Sequence, residues 1–183
     1  MQYPGKMTDK EMDAYIQKIA NGSMTALGDL YEELRAPVYR FALSIVKSHA
    51  PAEDIAQEVF LQIKIRSRTY QSKGTPRTWI FSIARNLAVS MLRQTEKFVD
   101  MDALNALIAP GADPAEMDDL SLLDILDPLE KEIVSMRVLA DLKYSEIAQS
   151  LKMSYDQARW KYIYAMQKLK KHLTKQGEEG TSI

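Results

Sequence analysis

Apolar residues recur along this chain at steps of three and four, the spacing of a helix that buries one face. No strand-like alternation, hairpin turn or internal repeat stands out. Thr8 and Glu11 have the spacing of a capping box, which predicts a short helix running to about Ala20. Asn21, Gly22 and Ser23 then form a stop and a restart. From Met24 a long helix is predicted by the stripe Leu27, Leu30, Leu34, Val38, Phe41 and Ile45. Pro37 lies inside that stripe, so a kink or break is expected there. A second long helix starts near Pro51 and carries Ile55, Val59 and Ile63 inward. After a loop at residues 72–76, a third runs from Arg77 to about Lys97 with Ile80, Ile83, Leu87 and Met91 inside, while Arg77, Arg85 and Arg93 line other faces.

The periodicity lapses over residues 98–118, where Pro110-Gly-Ala-Asp-Pro114 is the clearest linker signal. It resumes with Leu129, Ile133 and Met136, then a short helix at residues 144–151. A turn at Lys152 and Met153 leads to a second capping box, Ser154 with Gln157. The last helix turns Ala158, Tyr162, Ala165, Leu169 and Leu173 inward, and small Ala148 permits close helix approach. The expected fold is therefore all-α. A helical bundle (residues 1–97) and a smaller domain (119–175) are joined by a flexible acidic linker (98–118). A disordered tail (176–183) ends the chain.

Charge sharpens this picture. The net charge of −1 conceals a division: residues 1–95 carry +4, residues 96–132 carry −9 and residues 133–183 carry +4. Two mildly basic blocks around an acidic strip suit a polyanion partner, though an acidic solvated linker explains the strip equally well. There is no cysteine and there are only two histidines, which leaves little material for thiol chemistry, a zinc site or a Ser–His triad. No metal-ligand spacing or phosphate-cradling glycine loop appears, so no cofactor, metal or enzymatic activity is expected. No apolar run is long enough to span a bilayer and the N-terminus does not read as a signal peptide, so the expected compartment is the cytoplasm.

A short helix, a tight turn and a capped longer helix make a helix-turn-helix. Ser154 and Gln157 at the cap, and Arg159, Lys161, Tyr164 and Lys168 on the outward face, are the candidates for reading DNA in the major groove. A solvated helical hairpin with a Lys-rich face is the plainer alternative.

Three segments in series carry a resemblance. AEDIAQEVFL (residues 52–61), TWIFSIARNLAVSMLR (78–93) and YSEIA (144–148) resemble the bacterial RNA polymerase sigma factors of the extracytoplasmic-function type. That family shows an AEDxxQExF segment, a WLxxIARNxxxDxxR segment and a C-terminal helix-turn-helix in this order. The resemblance spans about residues 12–173. It implies an alternative sigma factor that binds core RNA polymerase through the clamp helices and flap, opens the −10 promoter element with its first domain and reads the −35 element with its second. By the same resemblance, Asp54, Gln57, Glu58, Phe60 and Leu61 correspond to the polymerase-binding segment. Trp79, Arg85, Asn86 and Arg93 match the −10 helix, to which Arg77 at its start and Tyr70 in the preceding basic loop are added. Helical spacing favours a core role for Trp79, and mid-helix Asn86 is expected to be held by a specific contact. Such factors are commonly held by an anti-sigma protein, of which the sequence itself gives no sign. The free protein is expected to be a monomer.

Four positions depart from the family pattern. Ser90 stands where Asp is usual and cannot form an ion pair with Arg93. Lys152 stands where Gly is frequent, predicting a strained or different turn. Lys161 and Tyr164 stand where Arg is usual and lack its bidentate fork, so the promoter read is expected to differ from the family's common one. Two other readings stay open on sequence alone: a dimeric helix-turn-helix regulator, and a sigma-like adaptor without promoter reading.

Overall fold

The computed structural model describes residues 7–98 and 122–179. Among them are seven α-helices and no strand, in two compact units, Met1–Leu104 and Asn105–Ile183.

The first unit contains α1 (Asp9–Ala20), α2 (Met24–Val46), α3 (His49–Arg66) and α4 (Pro76–Phe98). Thr8 and Glu11 form the expected box: the Glu11 amide donates to Thr8 Oγ1 at 3.3 Å and the Thr8 amide to Glu11 Oε2 at 2.8 Å. Ser23 caps α2 by accepting from the Ala26 amide. Pro37 does not break α2, which runs unbroken from Met24 to Val46. The missing amide is tolerated because Leu34, Val38 and Phe41 are buried on either side of it. α3 begins at His49, two residues before Pro51. α2 packs against α1, α3 and α4. The core between them holds Met12, Ile16, Leu30, Leu34, Val38, Ile55, Val59, Ile63 and Ile80. Phe41 meets Phe81 edge-on at 5.3 Å, a geometry that adds about 1 kcal/mol to plain burial.

The second unit contains a 3-10 turn (Leu122–Ile125), α5 (Pro128–Val138), α6 (Tyr144–Leu151) and α7 (Tyr155–Glu179). Asp127 and Glu130 form a capping box on α5, with Pro128 at the first helical position. α7 packs on α5 and α6 through Ala158, Ala165 and Leu169, and Ala148 on α6 is buried as expected. Leu123, Leu126 and Val134 close the cluster around Ala165 and Leu169. Leu173 does not join it and is 52% exposed, so the inward stripe of α7 ends at Leu169.

Candidate nucleic-acid and polymerase surfaces

On α3, the turn that buries Ile55, Val59 and Ile63 leaves Asp54 and Gln57 exposed and Glu58 half-buried. Glu58 accepts from Gln62 Nε2 at 2.6 Å. Asp54 and Glu58 edge a groove of about 300 Å3 between α3 and α4, floored by Ile55, Leu87 and Met91 and bounded on the far side by Ser90 and Gln94. It combines an acidic lip with an apolar floor. Phe60, expected in the interface or the core, is 5% exposed and packs edge-on against Tyr31 at 4.8 Å. It therefore supports the surface from inside the core. Leu61 is exposed, and Ile65 one turn later is exposed beside it in sequence register.

On α4, Asn86, Ser90 and Arg93 follow one another at steps of four and three and are all exposed; Arg85 is half-buried. Arg77 corrects the sequence reading. It is buried, its guanidinium donates to the Met7 carbonyl at 2.8 Å, and its Nε lies 3.6 Å from Asp9. It ties α4 to the start of α1. Tyr70 is likewise engaged: its hydroxyl donates to Asp13 and its ring lies 4.6 Å from that of Trp79. Burial first, then the bond to Asp13, pushes the Tyr70 hydroxyl pKa well up from its ordinary value. Trp79 is half-buried, in keeping with a packing role.

In the second unit, α6 ends at Lys152 with φ +54° and ψ +45°, the left-handed conformation that Gly adopts without strain. The Met153 amide donates back to the Ala148 carbonyl at 2.9 Å and closes the turn. Ser154 and Gln157 cap α7 reciprocally: the Ser154 amide reaches Gln157 Oε1 at 2.9 Å and the Gln157 amide reaches Ser154 Oγ at 3.2 Å. Both side chains are exposed but occupied by the cap. Arg159 and Tyr164 are exposed and Lys161 is half-buried. Lys168 is a further correction. Its ammonium bonds both oxygens of buried Glu130, at 2.9 and 2.8 Å, and lies 4.8 Å from the Tyr164 ring. The bond to Glu130 raises its pKa.

Trp160 was not foreseen. It is 68% exposed and sits one turn before Tyr164. The signal was present in the sequence: the inward phase of Ala158, Tyr162 and Ala165 turns position 160 outward. Among the described residues no cluster of three or more His, Cys, Asp or Glu could hold a metal ion, and no helix is long and apolar enough to cross a membrane.

The two units fall on two sigma-70 family models. Residues 30–98 match Sigma-70 region 2 and residues 122–171 match Sigma-70 region 4. The chain is 27% identical to the ECF RNA polymerase sigma factor SigM of Bacillus subtilis, over 79% of this chain and 93% of SigM. It is 23% identical to SigK of Mycobacterium sp. (strain KMS), over 77% and 79% of the two chains. Its fold is similar to CnrH, solved with the cytosolic domain of CnrY (TM-score 0.65, 19% identity, covering 88% of this chain and 96% of that chain). It is also similar to RpoE of Bartonella quintana, solved with the anti-sigma factor NepR (TM-score 0.64, 16% identity, covering 80% and 96%). The chain belongs to the sigma-70 family.

Proposed function

We infer that this protein is an alternative sigma factor that binds core RNA polymerase, directs it to particular promoters and helps open the −10 element. The observation that carries this reading is the succession of a region 2 match and a region 4 match in one chain. A factor of this kind acts by binding and needs no catalytic group. A regulator built on the helix-turn-helix alone has no use for a region 2 domain and is not favoured.

Residues 1–97 then serve polymerase binding and −10 opening, residues 119–175 serve −35 recognition, and residues 98–118 link them. The polymerase clamp helices meet the α3 surface at Asp54, Gln57, Glu58 and Leu61. Asn86 and Arg93, with Arg85 partly exposed between turns, face the −10 strand. Arg159, Trp160, Lys161 and Tyr164 face the −35 major groove, where the exposed N-terminal half of a helix reads base edges. The protein works in the cytoplasm as a monomer until it joins polymerase. The sigma factor RpoE, similar in fold, was solved with the anti-sigma factor NepR, which makes an anti-sigma protein a fitting partner here too.

Run-off transcription with bacterial core polymerase and a pool of genomic promoter fragments tests this reading. Discrete new start sites that vanish on Asp54→Ala with Gln57→Ala are expected. Core binding without initiation would leave only the adaptor reading. Neither binding nor initiation would overturn the assignment.

A further inference from the structure

The described part of the second unit begins against α7. Leu122 packs on the cluster that joins Leu123 and Leu126 to Ala165 and Leu169, with Tyr162 also against it. Asp127 has its carboxyl held low chiefly by the Glu130 amide, and Lys161 and Lys168 of α7 add their charge. The chain thus enters the unit alongside the basic side of α7. The sequence before Leu122 continues both features. Met117 and Leu120 extend at steps of three the apolar positions that Leu123 and Leu126 bury. Asp113, Glu116, Asp118 and Asp119 surround them in sequence, with no Lys or Arg among residues 113–121. On α7, Trp160 is 68% exposed and Tyr164, one turn later, 57% exposed, with Arg159 and Lys161 flanking the tryptophan in sequence.

We propose that residues 113–121 of this chain dock on the Trp160–Tyr164 face of α7 in the free protein and cover it until promoter DNA displaces them. The displacement by DNA rests on the sigma-factor reading above; the docking does not. Reach allows it. Trp160 precedes Ala165 by five residues, about 7.5 Å along the helix axis, and five extended residues before Leu122 span up to about 17 Å. The chemistry matches on two counts. Met117 and Leu120 bring apolar groups to the indole and phenol rings, and the carboxylates complement Arg159 and Lys161. Each such exposed charge pair is weak alone. The short tether compensates, since it holds the segment at an effective concentration on the order of millimolar. A contact too weak to persist between separate molecules then still covers the face. Duplex DNA displaces the segment because its phosphates draw on the same cations and release counterions as they bind. The aromatic face is thereby shielded from non-specific contacts in the free protein and uncovered at a promoter.

Acrylamide quenching of Trp160 fluorescence in the full chain, with Trp79→Phe leaving a single indole, reads the cover directly. Trp160 is expected to be shielded, and Met117→Ser combined with Leu120→Ser to expose it at unchanged net charge. Added salt should expose it too, because surface charge pairs are screened. The second readout is binding of the full chain, without polymerase, to a promoter duplex recovered in the run-off assay. The same double substitution is expected to tighten that binding about tenfold, the gain from releasing a face covered in about nine molecules of ten. This measurement needs no change at Trp79, so it stays decisive if Trp79→Phe fails to fold. Equal quenching of Trp160 with and without the double substitution would overturn the proposal, and so would an unchanged duplex affinity. Shielding that grows with protein concentration would seat a second copy on the face and also overturn it. Shielding that the double substitution releases, in a protein that starts no transcription with core polymerase, would instead sink the sigma-factor reading while leaving the docking in place.

Discussion

Lys168 and Glu130 form an ion pair across 38 positions of sequence, with the carboxylate 2% exposed and both of its oxygens on the ammonium. Glu130 Oε2 also accepts from the Asp127 amide at 3.1 Å, completing the cap of α5. One buried carboxylate thus ties α5 to α7 and finishes a helix end. Glu130→Ala is expected to lower the melting temperature of the second unit, because it removes both the tie from α5 to α7 and the acceptor that caps α5. Thermal unfolding followed by circular dichroism measures this. Lys168→Ala is expected to lower the melting temperature but to leave the preferred −35 sequence unchanged, as read by selection from randomised promoters. A changed preference would return Lys168 to the DNA surface.

The caps give a pH dependence with a definite sign. Asp127 has a pKa lowered from its ordinary value of 3.8, chiefly by the bond from the Glu130 amide. Glu11 is lowered from 4.5 by the Thr8 amide and then the Thr8 hydroxyl. A group lowered on folding stabilises the fold fully above its unfolded value, and that contribution is lost as pH falls through the folded value. Stability is therefore expected to be flat for these groups at neutral pH and to fall below about their ordinary values. Asp127→Asn keeps a capping side chain but cannot titrate. It should flatten the acid limb of the melting-temperature curve for the second unit, and an unchanged limb would contradict this assignment.

Arg77 offers a sharper test of the first unit, because its side chain is buried against Met7 and Asp9 rather than facing DNA. Arg77→Met should cost about 2–3 kcal/mol by leaving the Met7 carbonyl and Asp9 without their cation. Urea unfolding of the full chain checks the figure. The salt dependence of promoter binding should keep its slope, since no phosphate contact is lost.

These corrections share a cause that also explains what the sequence made legible. The caps at Thr8 and Glu11 and at Ser154 and Gln157 are local, and their residue types alone specify them. The helical stripes through Leu34, Val38 and Ile55 follow from periodicity, and so does the all-α fold. Tyr70, Arg77 and Lys168 stood as DNA candidates because their partners lie 57, 70 and 38 positions away. Nothing in a local pattern announces Asp13, Met7 or Glu130 as those partners. Phe60 could have been interface or core on sequence alone, and Tyr31 on α2 covers it. Leu173 had the right phase but lies beyond the buried cluster on α7 that ends at Leu169.

Lys152 carries a backbone conformation that its side chain disfavours, with φ +54° at the end of α6. The left-handed region costs an L-residue about 1–2 kcal/mol that Gly does not incur, while Gly adds freedom to the unfolded chain. The net effect of Lys152→Gly is an expected gain of about 0.5–1 kcal/mol, the left-handed cost removed less the unfolded-chain entropy that Gly adds. Thermal melting of the full chain decides it. A loss would mean that the turn is set by the Lys152 side chain rather than by its backbone.

Trp160 gives the most specific expectation about the promoter. A tryptophan 68% exposed on a helix is unusual unless a partner covers it, and here Arg159 precedes it and Tyr164 follows one turn later. The apolar feature that a major groove presents is the thymine methyl group. Selection from randomised −35 elements should therefore enrich thymine at one or two adjacent positions. Trp160→Ala should erase that enrichment and lower initiation roughly fivefold to a hundredfold, since one mismatched position costs about 1–3 kcal/mol. Arg159→Ala should behave differently. It should weaken binding on all sequences and reduce the salt slope by about one, as the loss of a single phosphate contact does. Trp160→Ala leaves that slope unchanged because indole carries no charge. If the slope falls with Trp160→Ala, or the thymine preference survives it, the side chain is not reading bases and the apolar face of α7 belongs to a protein partner.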